Sequence, residues 1–545
     1  MINDIIKNMT VEEKVGQLVV PILQNGKISE DIKEYIKKYK VGMIRFCPNG
    51  EFDNSSVLVG APNPYLSAGE TADFTNGLQR LSVEEGGGIP LIIAVDQEGG
   101  TRSDVNRANA FTYASHMCFG CADDTELTYE TAKAAAKEFR AMGINMIQAP
   151  IVDVFRYEGK NTMKAASFGE DAKLVTRHAL SMQQGFMDGG VISMIKHFPG
   201  YGSLSTDAHK GTARISKSLE ELERVDLLPF RELIKAGSEG IMSGHVITEC
   251  LDKIYPATLS KKAIGYLRKE LNFNGIIETD AMRMRAIQDN YGTKDACVMA
   301  IEAGNDLVLL RGSKEHFEEG YEAILEAVRS GRIEEAVVDE ALKRILALKL
   351  KKGLFENPYA DSEKADLTVG CKEHLELRKR LAEKSVICLK RSDVRLDKSA
   401  KILVISPVPQ KMDSTLDSKE CPEMLFNAFD KVTGNAVHVQ TSLTPTEEET
   451  EKVLGLIPNA DAVIMGTCNA ILYPEQVLLD SKIKAFSKPV INIAMESPCD
   501  IDVLEECSDY ICMLGCVSEW ADTAAKMCFG LAESKGTLPI TLKKV

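Results

Sequence analysis

The sequence predicts an α/β protein: an N-terminal (β/α)8 barrel of the TIM type, followed by a smaller C-terminal α/β sandwich. Three observations carry this reading. Eight short, β-rich apolar runs recur between Val15 and Leu310, and most are continuously apolar, as strands covered on both faces are. A helix-like stretch follows each run, and such repeated alternation suggests a closed barrel over an open doubly wound sheet, although counting strands does not prove closure. Beyond Leu310 the pattern changes, and at 545 residues the chain is longer than one core ordinarily supports.

In chain order the eight runs are VGQLVV from Val15, VGMIRF from Val41, IPLIIAVD from Ile89, INMIQAPIVD from Ile144, VISMIKHF from Val191, GIMSGHV from Gly240, GIIETD from Gly275 and NDLVLL from Asn305. The clearest helices between them are AKEFRAMG, LLPFRELIKAG and KKAIGYLRKEL. Ahead of the first run, Thr10 and Glu13 have the spacing of a capping box. Residues 314–352 read as two helices, and 358–398 as a charged helical connector. Five further runs follow: KILVISPV, VHVQT, DAVIMGT, KPVINIAM and YICMLGC. The expected division is a barrel at 1–355, a connector at 356–397 and a sandwich at 398–545.

Composition excludes several classes. A net charge of −15 argues against nucleic-acid and anionic-membrane partners. No run of about 20 apolar residues offers a transmembrane span. The N-terminus carries neither a basic leader nor a small-residue cleavage site, so a cytoplasmic location is the default expectation. The 14 cysteines then read as reduced thiols. Cys118 and Cys121 have CxxC spacing, but only His116 lies near enough to complete a metal site, so no metal is expected.

Barrel enzymes place reactive groups at the C-terminal ends of their strands. Here those ends hold Asp96-Gln97-Glu98-Gly99-Gly100, Asp153, Lys196-His197-Phe198-Pro199-Gly200, His245 and Thr279-Asp280, and the loop after the fifth strand adds Asp207 and His209. Any one aspartate could be a helix N-cap, and any one histidine a structural residue. Their joint placement on one face is what capping does not explain.

The motifs VDQEGG (95–100), APIVDV (149–154), SFGED (167–171), KHFPGYGSLSTDAH (196–209), MSGHV (242–246), PATLS (256–260) and GIIETDAM (275–282) resemble glycoside hydrolase family 3, in particular its β-N-acetylhexosaminidase branch. KGTLPITL (535–542) extends the resemblance to the C-terminus. It implies that Asp280 is the nucleophile of a retaining mechanism through a covalent glycosyl-enzyme. It also implies that His209, paired with Asp207 on a loop of the barrel, is the acid/base, where most retaining glycosidases use a second carboxyl group. Asp96, Lys196 and His197 match positions that hydrogen-bond the sugar; His245 and Met282 are expected as pocket wall, and Glu98 as an orienting group. No cofactor is implied. Imidazole does not repel an anion as a carboxylate does, so phosphate could in principle replace water as acceptor.

Three positions depart from the family pattern. Ala166 stands where an arginine usually precedes SFG, Tyr201 replaces the second histidine of KHFPGHG, and Thr101-Arg102-Ser103-Asp104 replaces an arginine-rich run. Arginine's planar fork is not readily replaced by lysine, so sugar recognition is altered; Arg102, Arg156, Lys160 and Lys164 are the basic residues near enough to fill the gap. The expected activity is removal of a terminal β-linked amino sugar from a small glycan, such as a cell-wall fragment in a bacterial cytoplasm. The alternatives are another exo-β-glycosidase of β-glucosidase type, a glycoside phosphorylase, or an inactive sugar-binding protein. Oligomeric state is open, with a dimer one option.

Overall fold

A computed structural model describes residues 1–24, 27–47, 66–100, 103–105, 110–156, 165–202, 213–392, 396–408 and 421–544. Its strands, in chain order, are β1 (Val19–Gln24), β2 (Met43–Cys47), β3 (Ile92–Val95), β4 (Met146–Ile147), β5 (Ile192–Phe198), β6 (Ala213–Ile215), β7 (Gly240–Ser243), β8 (Val246–Thr248), β9 (Ile276–Thr279) and β10 (Val308–Leu310). They are followed by β11 (Ile387–Lys390), β12 (Ile402–Pro407), β13 (Ala436–Thr441), β14 (Ala462–Thr467), β15 (Val490–Ala494) and β16 (Asp509–Cys512).

The eight predicted runs form one parallel sheet in the order β10-β1-β2-β3-β4-β5-β7-β9. Backbone bonds bring its two ends together: Thr279 N–H reaches Leu307 O at 3.0 Å, Leu307 N–H reaches Ile277 O at 3.0 Å, and Glu278 bridges Leu307. The sheet is therefore a barrel, which strand counting alone left open. β6 and β8 form a separate parallel ribbon outside it.

Two boundaries differ from the sequence reading. The capping box at Thr10 starts a helix, Val11–Gly16, that takes the first residues of VGQLVV, so β1 begins only at Val19. A side chain at Gly16 would lie 1.6 Å from Tyr39 O, so this close packing requires glycine. The long run INMIQAPIVD pairs at Met146 and Ile147, with a further single bridge from Ile151 to Lys196.

The second sheet has the order β11-β16-β15-β14-β12-β13, with β11 antiparallel and the other pairs parallel. Its five longer-signalled strands are the five predicted runs. The sixth, β11, lies within the segment read as connector: ICLK is four residues long and ends on a lysine, too little for a pattern to declare itself. The two halves are tied together near the barrel mouth. Thr541 Oγ1 donates to Glu170 at 2.6 Å, Arg378 pairs with Glu519 at 2.8 Å, and Gly515 lies so close to Ala114 that a side chain would clash with its backbone.

The opposite end of the barrel holds a buried cation. Lys349, on the helix Glu335–Lys351, is fully enclosed, with Gln17 Oε1 at 3.2 Å. Burial pulls its ammonium pKa down to about 7. The unfolded chain, with an ordinary lysine, holds more protons than the fold between pH 7 and about 10.5, so stability rises with pH across that window. Lys349→Met is therefore expected to stabilise the protein by about 1–3 kcal/mol at pH 6 to 7. The gain should shrink as pH rises towards 10; thermal unfolding across pH checks this, and a destabilised variant at pH 7 would refute it.

Candidate active site

The C-terminal ends of β3, β5, β7 and β9 converge, each delivering residues that the sequence singled out. β3 runs directly into Asp96, whose amide donates to Asp104 Oδ2 at 2.7 Å while Asp104 N–H returns to Asp96 O at 2.8 Å. This tight return fixes the Asp96 carboxylate, which stays partly exposed. Lys196, in β5, contacts Asp96 Oδ1 and lies 2.6 Å from Glu98 Oε1, with almost none of its side chain exposed. Desolvation alone would lower the Lys196 pKa, but Asp96 and Glu98 together raise it, so the ammonium keeps its charge. Burial pushes Asp96 up to about 6, against the pull of Lys196 and Arg45.

Arg45 is a site residue that the sequence reading passed over. It projects from β2 and places its guanidinium 3.0 Å from Asp96 Oδ2 and 3.1 Å from Asp104 Oδ2. The signal was available: an arginine inside the apolar run VGMIRF has to find buried anions. Asp104, read as a departure from the family pattern, is the anion it finds.

Asp153 is fully buried, and its carboxylate organises the loop after β5. It accepts from His197 Nδ1 at 2.9 Å and from the Tyr201 amide at 2.6 Å. A carboxylate there requires the proton on Nδ1, which leaves His197 Nε2 available on a partly exposed ring. Tyr201 stacks on that ring with 4.6 Å between centroids. Beside Gly200, burial pushes the Asp226 carboxyl up, with Lys217 at 2.8 Å drawing it back.

Asp280 follows β9 directly. Its amide bonds Ser243 O at 2.9 Å, Oδ1 accepts from the Ala281 amide at 2.7 Å, and Oδ2 accepts from the Tyr201 phenol at 3.3 Å. Asp280, Asp96 and His197 are thus partly exposed polar groups around one mouth. Two residues behind, Glu278 is enclosed in the barrel with Gln148 Nε2 at 2.8 Å, and burial pushes its carboxyl up to about 8. The shift favours its protonated form, which limits the buried charge beside Arg45 and Lys196.

The two residues expected as pocket wall are enclosed. His245 is fully buried, its ring spent on Thr258 Oγ1 at 2.8 Å and Ala281 O at 3.0 Å. Through Ala281 it supports the turn after Asp280. Met282 is equally buried, and its carbonyl accepts from Gln288 at 2.7 Å. Sequence does not separate these enclosed residues from the partly exposed groups, because burial at a strand end depends on what packs over it. Ala166 is buried. Asp207, His209, Arg102, Lys160 and Lys164 lie outside the described residues. Among the described residues no cluster of His, Cys, Asp and Glu is arranged to hold a metal. His116 accepts the Ile151 amide at 3.3 Å, and burial raises the Cys118 thiol to about 12.

The glycosyl hydrolase family 3 N-terminal domain matches residues 10–348. The chain belongs to glycosyl hydrolase family 3. It is similar to a solved family 3 β-N-acetylglucosaminidase from Paenibacillus sp. str. FPU-7, with 31% identity, a TM-score of 0.88, and 98% of this chain and 99% of that one covered. It is 30% identical over 384 residues to β-hexosaminidase A of Pseudoalteromonas piscicida, covering 66% of this chain and 64% of that enzyme, just under two thirds of its length. A β-hexosaminidase of Mycobacterium bovis (strain BCG / Pasteur 1173P2) is 30% identical over 347 residues, covering 63% of this chain and 83% of its own. The barrel and the sheet domain that follows it are thus those of a family 3 glycoside hydrolase.

Proposed function

We propose that the protein is a retaining exo-β-N-acetylhexosaminidase, with Asp280 as nucleophile and the Asp207–His209 pair as acid/base. The observation that carries this reading is the position of Asp280: a partly exposed carboxylate at a strand end, held among the described residues by the Ala281 amide and the Tyr201 phenol, on the same barrel end as Asp96, Lys196 and His197. The relatives named as β-N-acetylglucosaminidase and β-hexosaminidases support the choice of sugar. In the first step Asp280 attacks the anomeric carbon as His209 protonates the departing oxygen. In the second, the same histidine takes a proton from water, the carboxylate leaves, and configuration is retained. Asp96 and the Nε2 of His197 hydrogen-bond ring hydroxyls, contacts that strengthen as the ring flattens. Lys196 holds Asp96 in its charged form. A terminal amino sugar on a cell-wall fragment is the natural substrate class for such a site.

The test is cleavage of 4-nitrophenyl N-acetyl-β-D-glucosaminide near pH 7 beside the matching glucoside, each with and without inorganic phosphate. Faster cleavage of the N-acetylglucosaminide supports the reading, whereas faster cleavage of the glucoside refutes it. A sugar 1-phosphate as the main product would make the protein a phosphorylase. On the same panel His209→Ala is expected to lose about 100-fold or more on the 4-nitrophenyl glycoside. With a 2,4-dinitrophenyl leaving group, which departs unprotonated, the first step should be nearly spared. Equal losses on both would remove His209 from the acid role.

A further inference from the structure

Where the family pattern usually has a histidine, this chain has a phenol that three strand ends converge upon. The Tyr201 oxygen accepts from the His245 amide, which follows β7, and an N–H can only donate. The single phenolic proton is therefore free for Asp280 Oδ2, 3.3 Å away at the end of β9. The ring comes from the loop after β5 and is fixed there twice: by stacking on His197 at 4.6 Å and 18°, and by its amide on Asp153. Gly244 makes room for it, since a side chain at that position would lie 2.7–2.9 Å from Tyr201 Cε1, Cζ and Oη. Burial, and then the charge of Asp280, hold the phenol pKa well above its ordinary value, so the proton stays on oxygen across the working pH range.

We infer that Tyr201 is a positioning residue that acts through Asp280, favouring breakdown of the glycosyl-enzyme over its formation. The inference rests on the reading of Asp280 as nucleophile. In the first step an Asp280 oxygen bonds the anomeric carbon, the bond to the aglycone breaks, and the carboxylate loses its charge. In the second, water bonds the same carbon, the ester C–O bond breaks, its electron pair returns to the carboxylate, and the water proton goes to the base. The phenolic proton is never transferred. A donor binds a carboxylate more strongly than an ester, so it holds back the first step and assists the second.

Tyr201→Phe keeps the ring and its stack while deleting the donor. On the chromogenic glycoside cleaved in the panel above, kcat is expected to fall about 10- to 100-fold. KM should fall in parallel, leaving kcat/KM within about threefold of the parent. Intact-protein mass spectrometry of enzyme quenched during turnover should show one sugar residue bound to the variant. A fall in kcat/KM equal to that in kcat, with KM unchanged and no adduct, would overturn the inference and leave a structural role. Gly244→Ala, which displaces the phenol without removing it, should give the same split and serves if Tyr201→Phe does not fold. Asp280→Ala separates the two levels. If it still turns over, the nucleophile assignment itself fails; if it is inactive while Tyr201→Phe forms no adduct, only the role of Tyr201 fails.

Discussion

Asp280→Ala is expected to lose about 10⁴-fold or more in kcat on 4-nitrophenyl N-acetyl-β-D-glucosaminide, because removing the proposed nucleophile closes the covalent route. The loss should be chemical and not structural. Asp280 is partly exposed, and among the described residues its side chain accepts the Ala281 amide and the Tyr201 phenol, two neutral donors that lose less than a charged partner would. The unfolding midpoint should therefore stay close to that of the parent. Added azide makes the assignment specific: it can enter the space the carboxylate vacates, attack the anomeric carbon from that face and displace the nitrophenolate. The product is the α-glycosyl azide. Its formation would establish which face Asp280 occupies. A variant that hydrolyses the substrate at the parental rate, with no azide product, would remove Asp280 from the mechanism, with the substrate's own acetamido group as the next nucleophile to consider.

Lys196→Met is the second large effect, and it acts on stability and turnover together. The ammonium sits between Asp96 and Glu98 with almost no exposure, and Arg45 reaches Asp96 from the other side while also holding Asp104. Methionine fills much of the volume but leaves two carboxylates facing each other with less compensation. Breaking a buried pair this way typically costs about 3–5 kcal/mol, which for a barrel of this size corresponds to a midpoint lowered by roughly 4–7 °C. The pH dependence identifies the cause. Burial already pushes Asp96 up to about 6, and losing the neighbouring cation pushes it further. A carboxyl whose folded pKa lies above its unfolded value gives stability that is present at low pH and lost as pH rises through the folded pKa. The deficit of Lys196→Met should therefore be greatest above about pH 7 and shrink below pH 6. A deficit constant across that range would mean lost packing instead of stranded charge.

Much of the barrel was legible because its signal is local. Each of the eight strands overlaps an apolar run that could be marked without knowing its neighbours, although β1 shares only Val19 and Val20 with its run, and Thr10 with Glu13 announced the first capped helix. The site was legible as a set of strand ends, which is why Asp96, Lys196, His197 and Asp280 were found together. Roles within the set were less accessible. His245 and Met282 carry the same kind of signal as His197, yet they are fully enclosed where His197 is partly exposed. Arg45 was passed over because its partners, Asp96 and Asp104, are about 50 and 60 positions away in sequence.

The sequence by itself determined the eight-strand order of alternation, the family and the residues presented at the strand ends. Only the tertiary structure decided that the sheet closes, through the bonds between the Ile277–Thr279 and Leu307–Leu309 segments, and that ICLK adds a sixth strand to the second sheet. It also decided the meaning of Tyr201. Read along the chain, the residue is a lost histidine; in the fold it is a donor to Asp280, held by Asp153, His197 and His245. The reason is geometric. Apolar periodicity is written in neighbours along the chain, whereas a hydrogen bond between three strand ends exists only once the barrel has brought them within about 3 Å of one another.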